Sequence, residues 1–158
     1  MTGRFFRIAV RSVIFKDRKL ALIKSEKFGE YKFPGGGKEN GESDVETLIR
    51  ETMEETGLTV VAKSIKPYGV AKEKRRSVID PNDLFMMESY YYLCDVLNLV
   101  NKTKLDDYEH EYGYQLFFVD IDEAIKANEE AAKLHQDAVP WINRELAVFK
   151  DIKKYYNL

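Results

Sequence analysis

The chain of 158 residues has a single cysteine, Cys94, which rules out an internal disulfide and a zinc site built on several cysteines, and agrees with a reducing compartment such as the cytoplasm. It also lacks any apolar run near the roughly 20 residues that a membrane span needs. Arg4, Arg7 and Arg11 interrupt the N-terminal stretch where a signal peptide would be continuous, so a membrane partner is not expected. Charge of one sign is missing as well. Its 25 basic and 27 acidic residues nearly cancel, so no overall field attracts nucleic acid or an anionic surface. Neither His110 nor His135 has a histidine or cysteine at metal-ligand spacing, and no repeat or low-complexity tract is visible.

What is present is an ordinary globular balance, 44% hydrophobic and 33% charged, in a length that suits one domain over 1–158. Phe5 to Phe15 and Leu20 to Ile23 read as strands joined by a short charged turn, and Tyr31 to Phe33 as a third extended piece before Pro34 and three glycines. Val60 to Val70, Leu84 to Leu97 and Gln115 to Val119 are further strand candidates. Lys72 to Arg76 and the turn at Asp80 to Asp83 read as the charged connection between the first two. Ile121 to Asn128 is a short helix. Val139, Ile142, Leu146, Phe149 and Ile152 recur at helical spacing and mark a terminal amphipathic helix. Strands interleaved with helices predict an α/β class, a mixed sheet covered on both faces.

The clearest local signal is a helix from Asp44 to Thr56. Ser43 and Glu46 have capping-box spacing, and Gly57 before Leu58 suits a left-handed stop. Glu51, Glu54 and Glu55 fall at i, i+3 and i+4, so three carboxylates share one face, while Val45, Leu48, Ile49, Thr52 and Met53 lie opposite. Like charges so close repel, and a hard divalent cation that prefers oxygen ligands offsets the repulsion. A lone E-x-x-E-E is more often a solvated face. The surrounding residues overturn that reading.

Gly36, Glu42, Arg50, Glu51, Glu54, Glu55 and Gly57 fit G-x5-E-x7-R-E-U-x-E-E-x-G-U, with U a bulky aliphatic residue. A chance match at ordinary residue frequencies is on the order of one in ten million per register. The pattern resembles the Nudix hydrolase signature, and the approach through Phe33, Pro34 and Gly35 is similar too. The resemblance implies a Nudix-type α/β/α sandwich and hydrolysis of a diphosphate bond in a nucleoside diphosphate linked to another moiety. Mg2+ would be the cofactor, with Mn2+ as a substitute. It implies Gly36, Glu51, Glu54 and Glu55 as metal ligands and Arg50 as the residue that fixes the carboxylates. The general base is Glu51 or an acidic residue of a later loop, for which Glu111 is the candidate. Thr52 departs from the aliphatic pattern, and its hydroxyl is expected to bond back to the carbonyl of Leu48.

Substrate markers outside the box are sparse. The array of NADH-cleaving members is absent, and Glu73 stands where ADP-ribose-cleaving members tend to have proline. Lys72, Arg75 and Arg76 are candidate receivers of terminal phosphates, favouring a nucleoside triphosphate, and Tyr90 and Tyr92 are candidates to stack on a base. The expected partner is a small nucleotide diphosphate derivative. An RNA 5′-end pyrophosphohydrolase and an inactive nucleotide-sensing module are the alternatives, nucleic acid being disfavoured by the absence of interleaved aromatics. A homodimer stays open.

Overall fold

The computed structural model describes residues 4–77, 79–80, 82–97, 114–135 and 139–158. The acidic loop with Glu111 lies outside the described residues. In chain order the elements are β1 (Arg4–Val13), β2 (Phe15–Lys16), β3 (Lys19–Ser25), β4 (Tyr31–Lys32), β5 (Gly35–Gly37), α1 (Asp44–Thr56), a 3-10 turn (Ala62–Ser64), β6 (Lys66–Arg76), β7 (Leu84–Leu93), β8 (Tyr114–Val119), α2 (Ile121–His135) and α3 (Ile142–Tyr156).

One sheet runs β5-β1-β7-β6. Its central pair, β1 and β7, is parallel, while β5 and β6 close the edges antiparallel. The second sheet centres on β3, which pairs with β2, β4 and β8. Asp17 and Arg18 both have positive φ (50° and 66°) in the two-residue connection from Lys16 to Lys19, the geometry that matches strand twist in a tight hairpin.

Strand alternation separates two of the three buried clusters among the described residues, the third being built from Ala131, Val139, Ile142 and Leu146 around α2 and α3. Val10 of β1 and Ile14 just beyond it pack with Leu48, Leu58 and Cys94 on the α1 side. Val13 joins Phe33, Tyr91, Phe149 and Ile152 on the side of α2 and α3. Each such large apolar side chain contributes roughly 1.5–3 kcal/mol of transfer free energy. The expected mixed sheet between helices is therefore the observed architecture.

Several boundaries differ from expectation. Lys72 to Arg76 is not a connection but the outer half of β6, because the charges alternate. Lys72, Lys74 and Arg76 point to water while Glu73 and Arg75 turn inward. Val60 makes only an isolated bridge to Val96, and a 3-10 turn precedes β6. α2 extends to His135, well past Asn128, since Asn128 is buried and both accepts from Tyr31 N–H and donates to Tyr31 O. On α1 the buried residues are Thr47, Leu48, Thr52 and Thr56; Val45 is exposed. Thr52 Oγ1 donates to Ser12 Oγ of β1 at 3.2 Å rather than to Leu48, which ties α1 to the sheet.

Candidate active site

The site forms where β5 runs beside α1. Gly35 has φ of 146°, and a Cβ there would stand 2.2 Å from Val10 O, so only glycine lets this edge strand approach β1. Gly36 is needed for a different reason. A Cβ on it would sit 2.7 Å from the carboxyl carbon of Glu51, whose carboxylate lies directly against the glycine backbone.

α1 is held at both ends as its capping residues dictate. Ser43 Oγ accepts from Glu46 N–H at 3.1 Å and Glu46 Oε1 accepts from Ser43 N–H at 3.1 Å. Gly57, at φ 73°, donates to Met53 O at 2.8 Å. The helix is thereby fixed in phase, and Glu51 and Glu55 face β5 with the exposed Glu54 beside them.

Arg50 organises the carboxylates. Its Nε and Nη2 fork onto Glu42 at 2.7 and 2.9 Å, and its Nη1 reaches Glu51 at 3.0 Å and Glu54 at 3.4 Å. A lysine could not hold this set, since it has no planar fork. The guanidinium holds the Glu42 carboxyl down to about 2. Glu55 is placed separately, accepting from Gly35 N–H at 3.0 Å with Lys32 Nζ at 3.9 Å. Burial pushes the carboxyls of Glu51 and Glu55 up, and the negative charge of Glu54 on Glu51, and of Glu51 on Glu55, adds to it.

Among the described residues, no three acidic, histidine or cysteine side chains stand as a finished metal-ligand set. Arg50 holds Glu51 and Glu54 toward itself, and Gly35 holds Glu55. The donor chemistry nevertheless fits a hard divalent cation: oxygen ligands only, and five carboxylates around Arg50 and Lys32.

The other predicted residues do not gather here. Tyr90 and Tyr92 point to the α1 side, where Tyr90 OH donates to Glu88 at 2.8 Å and Tyr92 OH to Asp44 at 2.5 Å. Arg75 faces the opposite side of the sheet. Strand alternation thus places Arg75 on the face opposite Tyr90 and Tyr92. Lys72 stands 3.8 Å from Glu88, and Arg76 is an exposed end of β6.

Sequence reasoning passed over Arg11, Arg144 and Glu145, all buried on the α3 side. Glu145, fully buried, accepts from Phe33 N–H at 3.2 Å and from Tyr91 OH at 2.8 Å, so it moors the segment before the glycines. A signal existed: Arg11 stands between the apolar Ala9 and Val13 on one face of β1, and Glu145 lies one residue from Leu146 on the apolar stripe of α3.

Comparison with known proteins gives the family and the fold. The NUDIX domain model matches residues 5–142. An ADP-ribose pyrophosphatase of Methanocaldococcus jannaschii is 32% identical over 139 residues, covering 86% of this chain and 75% of that protein. A NUDIX hydrolase from Nitrosomonas europaea superposes with a TM-score of 0.58 at 20% identity, over 90% of this chain and 94% of its own. A MutT NUDIX hydrolase from Burkholderia pseudomallei gives 0.57 at 20% identity, over 74% and 84%. At such identities the superpositions speak for the fold. No helix among the described residues is long and apolar enough to cross a membrane.

Proposed function

Since the chain belongs to the NUDIX domain family and is a hydrolase of phosphorus anhydrides, we propose that it cleaves, with Mg2+, the diphosphate of a nucleoside diphosphate linked to a second moiety. The observation that carries this is the Arg50-centred carboxylate set seated on the Gly35–Gly37 strand. The name of the 32% identical relative supports a substrate of this kind.

Glu51, Glu54 and Glu55 would hold the metal, with the carbonyl of Gly36 as a further oxygen. When bound, the cation neutralises phosphate oxygens and makes a water molecule more acidic. The protein's own part is positioning. Arg50 sets the carboxylate rotamers, and the glycine strand admits the diphosphate close to the backbone. Glu51, raised by burial and packed on Gly36, is suited to take a proton from water.

A nucleoside triphosphate was the expectation from the basic residues of β6. Arg75 and Lys72 stand at the opposite edge of the sheet from β5, three strand spacings or roughly 14 Å away. That separation favours a linked diphosphate over a contiguous triphosphate. Purified protein with magnesium should release a nucleoside monophosphate from one or more of ADP-ribose, dinucleotides and sugar nucleotides. Failure on all of these, together with nucleoside triphosphates and capped or triphosphorylated RNA, would overturn the reading.

A further inference from the structure

Between β6 and α3 lies a cleft of about 770 Å³, lined among others by Tyr91, Glu73, Arg75 and Arg144. Its electrostatics are unusual. Arg144 is only 7% exposed; its Nη1 donates to Glu73 at 2.6 Å and its Nη2 stands 3.5 Å from Glu145, while its Nε is buried without an acceptor. Arg75 stacks over Phe85 at 4.3 Å and approaches Glu73 only to 3.7 Å, which leaves its buried Nε and Nη1 without acceptors.

Behind them is Arg11, also 7% exposed. Its Nε donates to Ser89 Oγ at 3.2 Å, and its Nη2 lies 3.7 Å from Met87 Sδ, the same sulfur that Arg144 Nη1 approaches at 3.7 Å. Among the described residues no carboxylate stands within ion-pair distance of Arg11. Three guanidiniums therefore share two carboxylates, Glu73 and Glu145, in a place largely shut from water. Buried arginines are rare without matching anions, and buried N–H donors without acceptors are rarer still.

What would complete the cluster is an anion with several acceptor oxygens. A phosphoryl group presents three and matches the guanidinium fork. We propose that the cleft between β6 and α3 binds a phosphate monoester through Arg75 and Arg144, and that this phosphate belongs to the substrate at a point remote from the cleaved diphosphate. This rests on the function proposed above and narrows it to linked diphosphates that carry a further phosphate. Glu73 takes part, because it accepts from Arg144 at 2.6 Å and stands 3.7 Å from Arg75.

The test compares matched substrates that differ by one remote phosphate: coenzyme A with dephospho-coenzyme A, and NADPH with NADH. The phosphorylated member of a pair should have a kcat/KM at least about tenfold higher, carried by KM. Arg75→Gln should bring the ratio toward one, and Arg144→Lys, which keeps the charge and loses the fork, should lower it by less. Calorimetry with orthophosphate alone forms the second arm. Heat that disappears in Arg75→Gln, without discrimination between the pairs, would uphold the phosphate site and assign it to the free ion. A ratio near one with no orthophosphate heat would overturn the proposal. If nothing is hydrolysed, the functional reading fails separately, and calorimetric affinities for the same pairs decide: equal values sink the phosphate site, a phosphate preference upholds it.

Discussion

The two sides of the β5-β1-β7-β6 sheet carry charge clusters of opposite sign built from the same residue types. Beside α1, five carboxylates share one arginine and one lysine. Beneath α3, three guanidiniums share two carboxylates. Neither is neutral, and neither is fully open to water. An ion pair that merely joined two elements would balance its charges, because an unmatched buried ion costs several kcal/mol. The excess on each side is what a ligand of the opposite sign would offset: a cation on the first, an oxyanion on the second.

The comparison can be broken by making the same substitution on each side. Glu55→Gln removes a carboxylate from the cluster with too many. Turnover should fall by about 10³-fold, equivalent to several kcal/mol of barrier, while metal-free stability holds or rises, since burial already disfavours the ionised form of Glu55. Near wild-type kcat would remove Glu55 from the proposed metal set. Glu145→Gln removes a carboxylate from the cluster with too few. Phe33 N–H and Tyr91 OH keep a partner, but Arg144 loses the second of its two carboxylates, and the expected cost is about 3 kcal/mol, or roughly 6–12 °C in Tm. Equal stability changes at the two sites would show that the charge excess has no energetic meaning.

These sides were unequally legible from sequence. The α1 side is local. Ser43, Glu46 and Gly57 fix the helix, and i, i+3, i+4 spacing then fixes the carboxylates, so six residues within 15 positions define most of the geometry. The α3 side joins Arg11, Glu73, Arg75, Arg144 and Glu145 from three elements far apart in the chain, and no spacing rule connects them. β6 was misread because five charged residues in a row resemble a loop by composition. Only pairing with β7 shows that Glu73 and Arg75 turn inward while Lys72 and Lys74 turn out. Thr52 was misread for a similar reason: the intrahelical bond is the local default, and Ser12 is forty residues away.

The smallest expected effect sharpens the α1 side further, because its members titrate in opposite directions. Arg50 holds Glu42 at about 2, against an ordinary carboxyl value of 4.5. The folded state thus binds a proton there less readily than the unfolded chain, and Glu42 adds stability that is complete above about pH 4.5 and lost as pH falls toward 2. Glu51 and Glu55, raised by burial, act the other way, since their ionisation opposes folding as pH rises through their values. Glu42→Gln should therefore lower Tm at pH 7, with the gap to wild type narrowing below pH 4.5 and closing near 2. Thermal unfolding at pH 7, 4.5 and 3 measures this. A gap that stayed constant across that range would mean that Glu42 acts through its bonds to Glu39 N–H and Thr47 Oγ1, which glutamine can keep, rather than through its charge on Arg50.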